Sequence, residues 1–283
     1  MGYGDDLLIT SFAAEEKKKY PERQVIIGNL KKKNASHSII YDNNPNISDC
    51  RNLDKNKPIH LIDYHQENRP YIDYLNSTSK KYIWNYNYKA KPGQLFFSEK
   101  ENNDASKILQ QALDFWNLKN KKKEPRAIIF IETTSTKTEH KNFSIKHLNK
   151  SWSQDSWIKL VDKLKNDYLF INSVHDHSIE IEGIFSPDSM DFRMACSIMN
   201  KCDMYVGPEG GFSHVAGALR KKAVVYYGGW ITPDVIGYDF HENLYFEDSK
   251  SPCGLYREKC DHCENARQII TVKHFEDKIL KIS

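Results

Sequence analysis

The sequence predicts an α/β protein built of two Rossmann-like, doubly wound domains that face each other across a central cleft. Three observations carry this. Short apolar runs alternate with helical patterns in both halves of the chain; a charged, proline-ended segment, Lys119 to Pro125, separates the halves; and a glycine turn at Gly210-Gly211 joins a strand to a helix. The 283 residues suffice for two domains of average size, with expected boundaries of 1–122 and 123–283.

In the N-terminal half, Leu7 to Tyr20 reads as a helix with Asp5 or Asp6 as its N-cap and Pro21 just past its end. Gln24 to Ile27, Ser38 to Tyr41 and Ile59 to Ile62 read as strands, rich in Ile and bounded by Gly, Asn and Pro. Asn102 to Leu118 reads as a helix with Ile108, Leu109, Ala112, Leu113 and Trp116 on one face. Beyond the linker, Ala127 to Ile131 is a buried-type strand followed by a polar loop, Glu132 to Ser151. Asp155 to Lys165 reads as a helix, Tyr168 to Ile171 as a strand, and Ser189 to Asn200 as a helix leading to Met204. The last helix, Val272 to Ile282, is expected to pack back on one of the two domains, the N-terminal one included.

Composition narrows the class. A formal net charge of +3 with 28% charged residues is too small a bias for a nucleic-acid partner. The lysine runs at 17–19, 31–33 and 121–123 read as solvated faces, with peripheral contact to an anionic inner-membrane surface or contact to an anionic acceptor as the second reading. No stretch approaches the ~18 apolar residues of a membrane span. Asp5, Asp6 and Glu15 depart from a signal peptide, so a cytoplasmic location is expected. The six cysteines are then reduced. Cys253, Cys260 and Cys263 form a C-x6-C-x2-C cluster with His262 inside it; the spacing matches no common zinc ribbon or finger, and the expectation is a packed loop without metal.

The most informative stretch is Val206-Gly207-Pro208-Glu209-Gly210-Gly211-Phe212-Ser213-His214. It follows the apolar run from Met204, precedes the helical pattern Val215 to Leu219, and is followed by a second apolar run, Ala223 to Tyr227. This is one βαβ unit with its glycines at the carboxyl end of the first strand, where open α/β sheets bind ligands. Gly210 and Gly211 let backbone N–H groups approach an anion, and the following helix N-terminus favours a phosphate. The simpler reading of the same residues is a turn with Ser213 as N-cap.

Glu209 to His214, followed by Val215-Ala216-Gly217-Ala218-Leu219, resembles the donor-binding signature of the family 9 glycosyltransferases, the bacterial heptosyltransferases. Lys150-Ser151-Trp152-Ser153 with Trp157 and Leu160-Val161 resembles the family's Lys-x-Trp segment. Gly4-Asp5 with Leu7, Leu8, Thr10 and Ala13 resembles its N-terminal Gly-Asp loop and helix. Lys91-Pro92-Gly93 with Glu99 or Glu101 is a looser match. The resemblance implies the two-domain GT-B fold and inverting transfer from a nucleotide-diphosphate sugar, usually ADP-heptose, to a lipopolysaccharide-core or related glycan or glycolipid acceptor. It implies no cofactor and no catalytic metal.

By the same resemblance Asp5, on a loop facing the cleft, is the general base, with Asp6 as the competing choice. Lys150 and the backbone from Gly210 through Phe212 and Ser213 to His214 stabilise the departing diphosphate. Glu209 contacts hydroxyls of the sugar or ribose, and His214 donates to a phosphate oxygen. Thr133 and Thr134 are further donor-site candidates. The family has an apolar strand before its Gly-Asp loop, whereas here Met1 stands three residues before Gly4. Either the start was assigned downstream of the true one or the first sheet lacks a strand. A transferase using another nucleotide sugar and a nucleotide-sugar-binding protein without catalysis are the competing readings.

Overall fold

The computed structural model describes residues 2–121, 123–133, 149–173, 180–188, 190–256 and 258–283. The chain opens with helix α1 (Tyr3–Lys19), whose N-cap is Gly2 rather than Asp5 or Asp6. The helix therefore begins before the apolar periodicity does. Gly4 and Asp5 lie in its first turn, not on a loop, and Asp5 Oδ2 accepts from the Gly2 N–H at 3.3 Å.

Strand β1 (Gln24–Asn29) pairs antiparallel with β2 (Asn34–Ala35) and parallel with β3 (Ile59–Asp63), in the order β2-β1-β3. This first sheet is not doubly wound, contrary to the sequence expectation. The segment expected as a strand from Ser38 is a short 3-10 turn, Ile39–Tyr41, with Ser38 Oγ accepting from the Ile40 N–H at 3.3 Å. The competing pull is local: Ser38 Oγ also donates to buried Asp6 at 2.7 Å, which ties the segment to α1 instead of to a sheet edge. Residues 64–98 add only the bridge pairs Ile72–Trp84 and Lys81–Leu255, and bury Tyr64, Ile72, Trp84 and Tyr88 as an irregular aromatic layer.

Helix α2 (Glu99–Asn120) starts with a capping box in which the Ser98 side chain accepts from the Glu101 N–H at 3.2 Å and Glu101 accepts from the Ser98 N–H at 2.8 Å. The second sheet follows: β4 (Ala127–Ile131), α3 (Gln154–Leu164), β5 (Tyr168–Asn172), β6 (Ile184–Phe185), α4 (Phe192–Lys201), β7 (Met204–Pro208), α5 (Gly211–Ala218), β8 (Lys222–Gly228), the short α6 (Pro233–Ile236), β9 (Glu242–Tyr245), α7 (Asp261–Ile269) and α8 (Val272–Ile282). Its six strands are all parallel, in the order β6-β5-β4-β7-β8-β9. Counted from β4 this is 3-2-1-4-5-6, the order of dinucleotide-binding sheets, with the direction of winding reversing between β4 and β7.

Side-chain alternation builds two layers on this sheet. Ile129, Ile131, Tyr168, Phe170, Met204, Val206, Val224 and Tyr226 share one core with Trp157 and Leu160 of α3 and Phe275 and Ile279 of α8. Phe130, Leu169, Ile171, Tyr205, Val225 and Tyr227 face the other way into a core that continues through α4 and α5 to α1 and the aromatic layer. The last helix thus returns to the second sheet, lying against α3, β8 and β9. Helix α2 lies against α4 and β5. No helix among the described residues is long and apolar enough to cross a membrane.

Two contacts hold the first part of the chain against the second sheet. Helix α1 meets α5 at glycines: a methyl group on Gly4 would come within 3.0 Å of His214 Cδ2 and 3.4 Å of the Gly211 Cα. Arg193 of α4, nearly fully buried, donates to Glu101 Oε1 at 2.6 Å, to the Phe96 carbonyl at 2.6 Å and to the Ile39 carbonyl at 2.7 Å. Glu101, one of the looser family matches, is therefore a structural partner. The Arg193 hydrogen bond is the main cause that holds its pKa down, at about 2. Removing one member of such a pair leaves the other charge without its partner. Arg193→Ala is expected to cost about 3 kcal/mol, read as a shift of the urea unfolding midpoint.

Candidate functional site

A cavity of about 430 Å³ opens at the carboxyl edge of the second sheet, beside the switch point, and is closed from the far side by α1 and the aromatic layer. Its lining includes Gly4 and Asp5 of α1, Arg69, Tyr71, Tyr82 and Trp84 of the irregular segment, Lys150, Glu209, Gly210, Gly211, His214 and Trp230. Six of the sequence candidates thus meet here: Asp5, Lys150, Glu209, Gly210, Gly211 and His214.

Two candidates from the same motif do not. Phe212 turns into the core between Phe192 (ring centroids 4.8 Å apart) and Phe130 (5.2 Å). Ser213 is buried and closes the turn: its Oγ accepts from the Gly210 N–H at 3.0 Å and donates to the Gly210 carbonyl at 2.8 Å. Gly210, not Ser213, is the N-cap of α5. Thr133 is buried outside the cavity lining, and Thr134 lies outside the described residues.

The Lys-x-Trp segment positions Lys150 by burying the tryptophan. Trp152 donates to the Ile270 carbonyl at 2.7 Å, stacks on Phe275 at 4.4 Å and meets Trp157 edge-on at 4.9 Å. Asn149, the residue before Lys150, is itself fixed by donating to the Leu255 and Glu258 carbonyls, both at 2.9 Å. Between these anchors Lys150 Nζ reaches Glu209 Oε2 at 2.6 Å and lies 5.0 Å from the Trp230 ring centre.

Asp5 and Asp6, interchangeable in the sequence, are separated by the fold. Asp6 turns inward to Ser38 and Tyr41, and burial raises its pKa. Asp5 faces the cavity, where its Oδ1 accepts from Tyr71 at 2.6 Å and its Oδ2 lies 3.9 Å from Arg69. Burial first and the Asp5 charge second push the Tyr71 pKa well above the ordinary phenol value, so Tyr71 remains a donor. Arg69 is itself oriented by aromatic hydroxyls, donating to Tyr74 at 3.1 Å and to Tyr82 at 3.3 Å.

Sequence reasoning missed Arg69, Tyr71, Tyr82, Trp84 and Trp230. A signal existed: residues 69–88 carry one arginine amid five tyrosines, a tryptophan and no regular periodicity, a density of aromatics that a solvated loop does not need. Trp84 meets Trp230 edge-on at 5.0 Å, which joins the irregular segment to the loop after β8.

The arrangement suits a polyanion with an uncharged polar appendage. The N-terminal turns of α1 and α5 converge, and the Arg69 and Lys150 cations flank them, each near a carboxylate. His214 is buried, its Nδ1 lies 2.9 Å from the Tyr238 hydroxyl and its Nε2 4.0 Å from Glu209 Oε1. Burial lowers the His214 pKa, so the ring is neutral.

Nearby His241 is buried against Tyr238, and burial first, then His214, push its pKa down to about 4. Both groups are depressed bases, so the unfolded chain binds more protons below the ordinary histidine value. Stability is fully present above about pH 6.5 and is lost as pH falls from there toward 4. Thermal melts at pH 7.5 and 5.5 are expected to show a lower Tm at the acid value, and His241→Gln to reduce that difference.

No protein-family model and no curated protein sequence matches the chain. Solved structures do. One is a glycosyl transferase family 9 protein from Veillonella parvula DSM 2008, matched over 100% of this chain and 94% of that one at 11% identity, with a TM-score of 0.63. Another is TibC, a bacterial iron-containing dodecameric glycosyltransferase from enterotoxigenic E. coli H10407, matched over 100% of this chain and 74% of that one at 12% identity, with a TM-score of 0.56. At such identities the likeness speaks for the fold, and it does so over the whole chain: this protein has the fold of the family 9 glycosyltransferases.

Proposed function

We propose that the chain is an inverting glycosyltransferase of the GT-B type, taking a nucleotide-diphosphate sugar in the cavity and passing the sugar to a glycan or glycolipid hydroxyl. The single observation that carries this is the convergence of the α1 and α5 N-termini with Arg69 and Lys150 beside the cavity-facing carboxylate of Asp5. In this reading the acceptor side is formed by residues up to about 122 and the donor side by those after it. The donor is ADP-heptose or a close relative, in keeping with the resemblance at Glu209 to His214.

Inverting transfer needs a base at the attacking hydroxyl and stabilisation of the leaving diphosphate. Asp5 takes the hydroxyl proton while Tyr71 and Arg69 hold its carboxylate in place. The diphosphate gains charge as the glycosidic bond breaks. Lys150, the Gly211 N–H at the start of α5 and the cation of Arg69 meet that charge. Glu209 beside Nε2 of His214 is an acceptor, so in this reading Nε2 carries the N–H turned toward Glu209 and the ligand, and Nδ1 accepts from the Tyr238 hydroxyl. Glu209, released from Lys150 when the diphosphate arrives, accepts from sugar or ribose hydroxyls. Trp84 and Trp230 offer apolar faces to a sugar ring or base. The same groups act at the diphosphate without a metal ion. The protein works at the cytoplasmic side of the membrane.

The second reading, a nucleotide-sugar-binding protein without turnover, draws on one observation: Asp5 lies in the first turn of α1 rather than on a loop, with its carboxylate already engaged by Tyr71 and Arg69. Asp5→Asn separates the two. With ADP-, GDP- and UDP-sugars and a panel of core glycan acceptors, the wild type is expected to release a nucleoside diphosphate, independent of added Mg2+ or Mn2+. Asp5→Asn is expected to lower kcat at least a hundredfold with donor affinity within a few fold. A wild type that binds donor yet turns over none of the panel favours the binder.

A further inference from the structure

We infer that Cys253, Cys260 and Cys263 form a binding site for one thiophilic divalent metal ion, zinc or ferrous iron, with a structural role in the wall of the cavity. The sequence alone argued against this, because the C-x6-C-x2-C spacing fits no common finger. The fold supplies what the spacing does not. Cys253 leaves the loop after β9, Cys260 is the N-cap of α7 and Cys263 lies in its first turn, so the helix start folds two thiols back onto the third. All three Sγ atoms lie within 4.8 Å of one another, and Cys253 and Cys263 are 3.1 Å apart. Metal–sulfur bonds of about 2.3 Å place the sulfurs of a tetrahedral site roughly 3.8 Å apart, within a small relaxation of this arrangement. Cys253 and Cys263 are buried and Cys260 is partly so. His262, the other candidate ligand in the motif, is engaged elsewhere: its Nε2 lies 2.9 Å from Ser251 Oγ and its Nδ1 3.2 Å from Asp248. The three thiolates supply three corners of a tetrahedron and leave the fourth to a further ligand.

The location gives the ion a purpose. The loop carrying these cysteines has no sheet of its own, yet it braces three parts of the cavity wall. Its Cys253 and Gly254 N–H groups donate to the Gly229 and Trp230 carbonyls at 2.9 and 3.1 Å, and Trp230 donates back to the Leu255 carbonyl at 2.6 Å. Tyr82 donates from its backbone to the Gly254 carbonyl at 2.9 Å and stacks on Tyr256 at 4.2 Å. Asn149, next to Lys150, donates to two carbonyls of the loop and accepts from the Cys260 N–H at 3.1 Å. One ion at the cysteines therefore fixes the positions of Trp230, Tyr82 and Lys150 together, whatever ligand the cavity takes.

The test is elemental analysis of the full chain, expressed without a histidine tag and purified anaerobically under reducing conditions, with thiols counted in parallel. We expect close to one equivalent of zinc or iron per chain. Cys253→Ser, Cys260→Ser and Cys263→Ser are each expected to lose most of it, and Cys50→Ser, outside the cluster, to keep it. Should the variants fail to fold, chelator-stripped wild type titrated with Co2+ is expected to develop sulfur-to-cobalt charge-transfer absorption saturating at one equivalent, with a rise in Tm. Absence of metal both as purified and after reconstitution with Zn2+ or Fe2+, or a Cys253–Cys263 disulfide in the anaerobic protein, would overturn the assignment.

Discussion

The structure depends on one electrostatic constraint: two helix N-termini share a single cavity. Aligned peptide dipoles place partial positive charge at the start of α1 and of α5, and the glycine contact between Gly4 and Gly211 brings those ends together. Like partial charges held this closely repel unless something negative lies between them. In the described structure Asp5 and Glu209 supply that charge, and each is held by a cation, Arg69 and Lys150. The cavity is thus close to balanced without a ligand. A diphosphate would take over the role of Glu209 toward Lys150 and the α5 N-terminus, freeing Glu209 for hydroxyls. In the proposed function, binding and exchange of ion-pair partners become one event, which would favour polyanions over monoanions.

The remaining architecture serves that convergence. The reversal of winding between β4 and β7 opens the sheet edge where α5 begins. Burial of Trp152 and the clamp made by Asn149 place Lys150 opposite the turn. Arg193 joins α4 to Glu101 and to the segment around Ile39, and so keeps the early part of the chain, α1 included, seated against the second sheet. These are contacts between residues far apart in sequence, so the site's geometry follows from the tertiary packing beneath it.

Much of the second sheet was legible in the sequence because its strands are short, β-branched and aromatic runs buried on both faces, each followed by a helical pattern or a glycine turn. The motif at Glu209 to His214 was legible because a phosphate-type turn needs glycine at fixed places. Within it, only the fold could sort the side chains: Phe212 and Ser213 serve the core and the turn, while Glu209 and His214 reach the cavity. The first sheet was misread where local hydrogen bonds won over β-propensity, as at Ser38, whose hydroxyl serves Asp6 and its own turn. Arg69 and the aromatic wall escaped notice because irregular segments carry no periodicity, and their roles arise only from neighbours distant in sequence. The proximity of Cys253, Cys260 and Cys263 was hidden for a related reason: α7 shortens a separation that the linear spacing exaggerates.

The central claim, that the convergent helix ends and Lys150 bind a nucleoside diphosphate, is tested most directly by calorimetric titration of the chain with ADP, GDP and UDP, repeated with Lys150→Ala. The account predicts saturable binding of one of the three, ADP foremost, at one site per chain, weakened about tenfold or more by the substitution. No binding of any of the three, or binding that Lys150→Ala leaves unchanged, would contradict it.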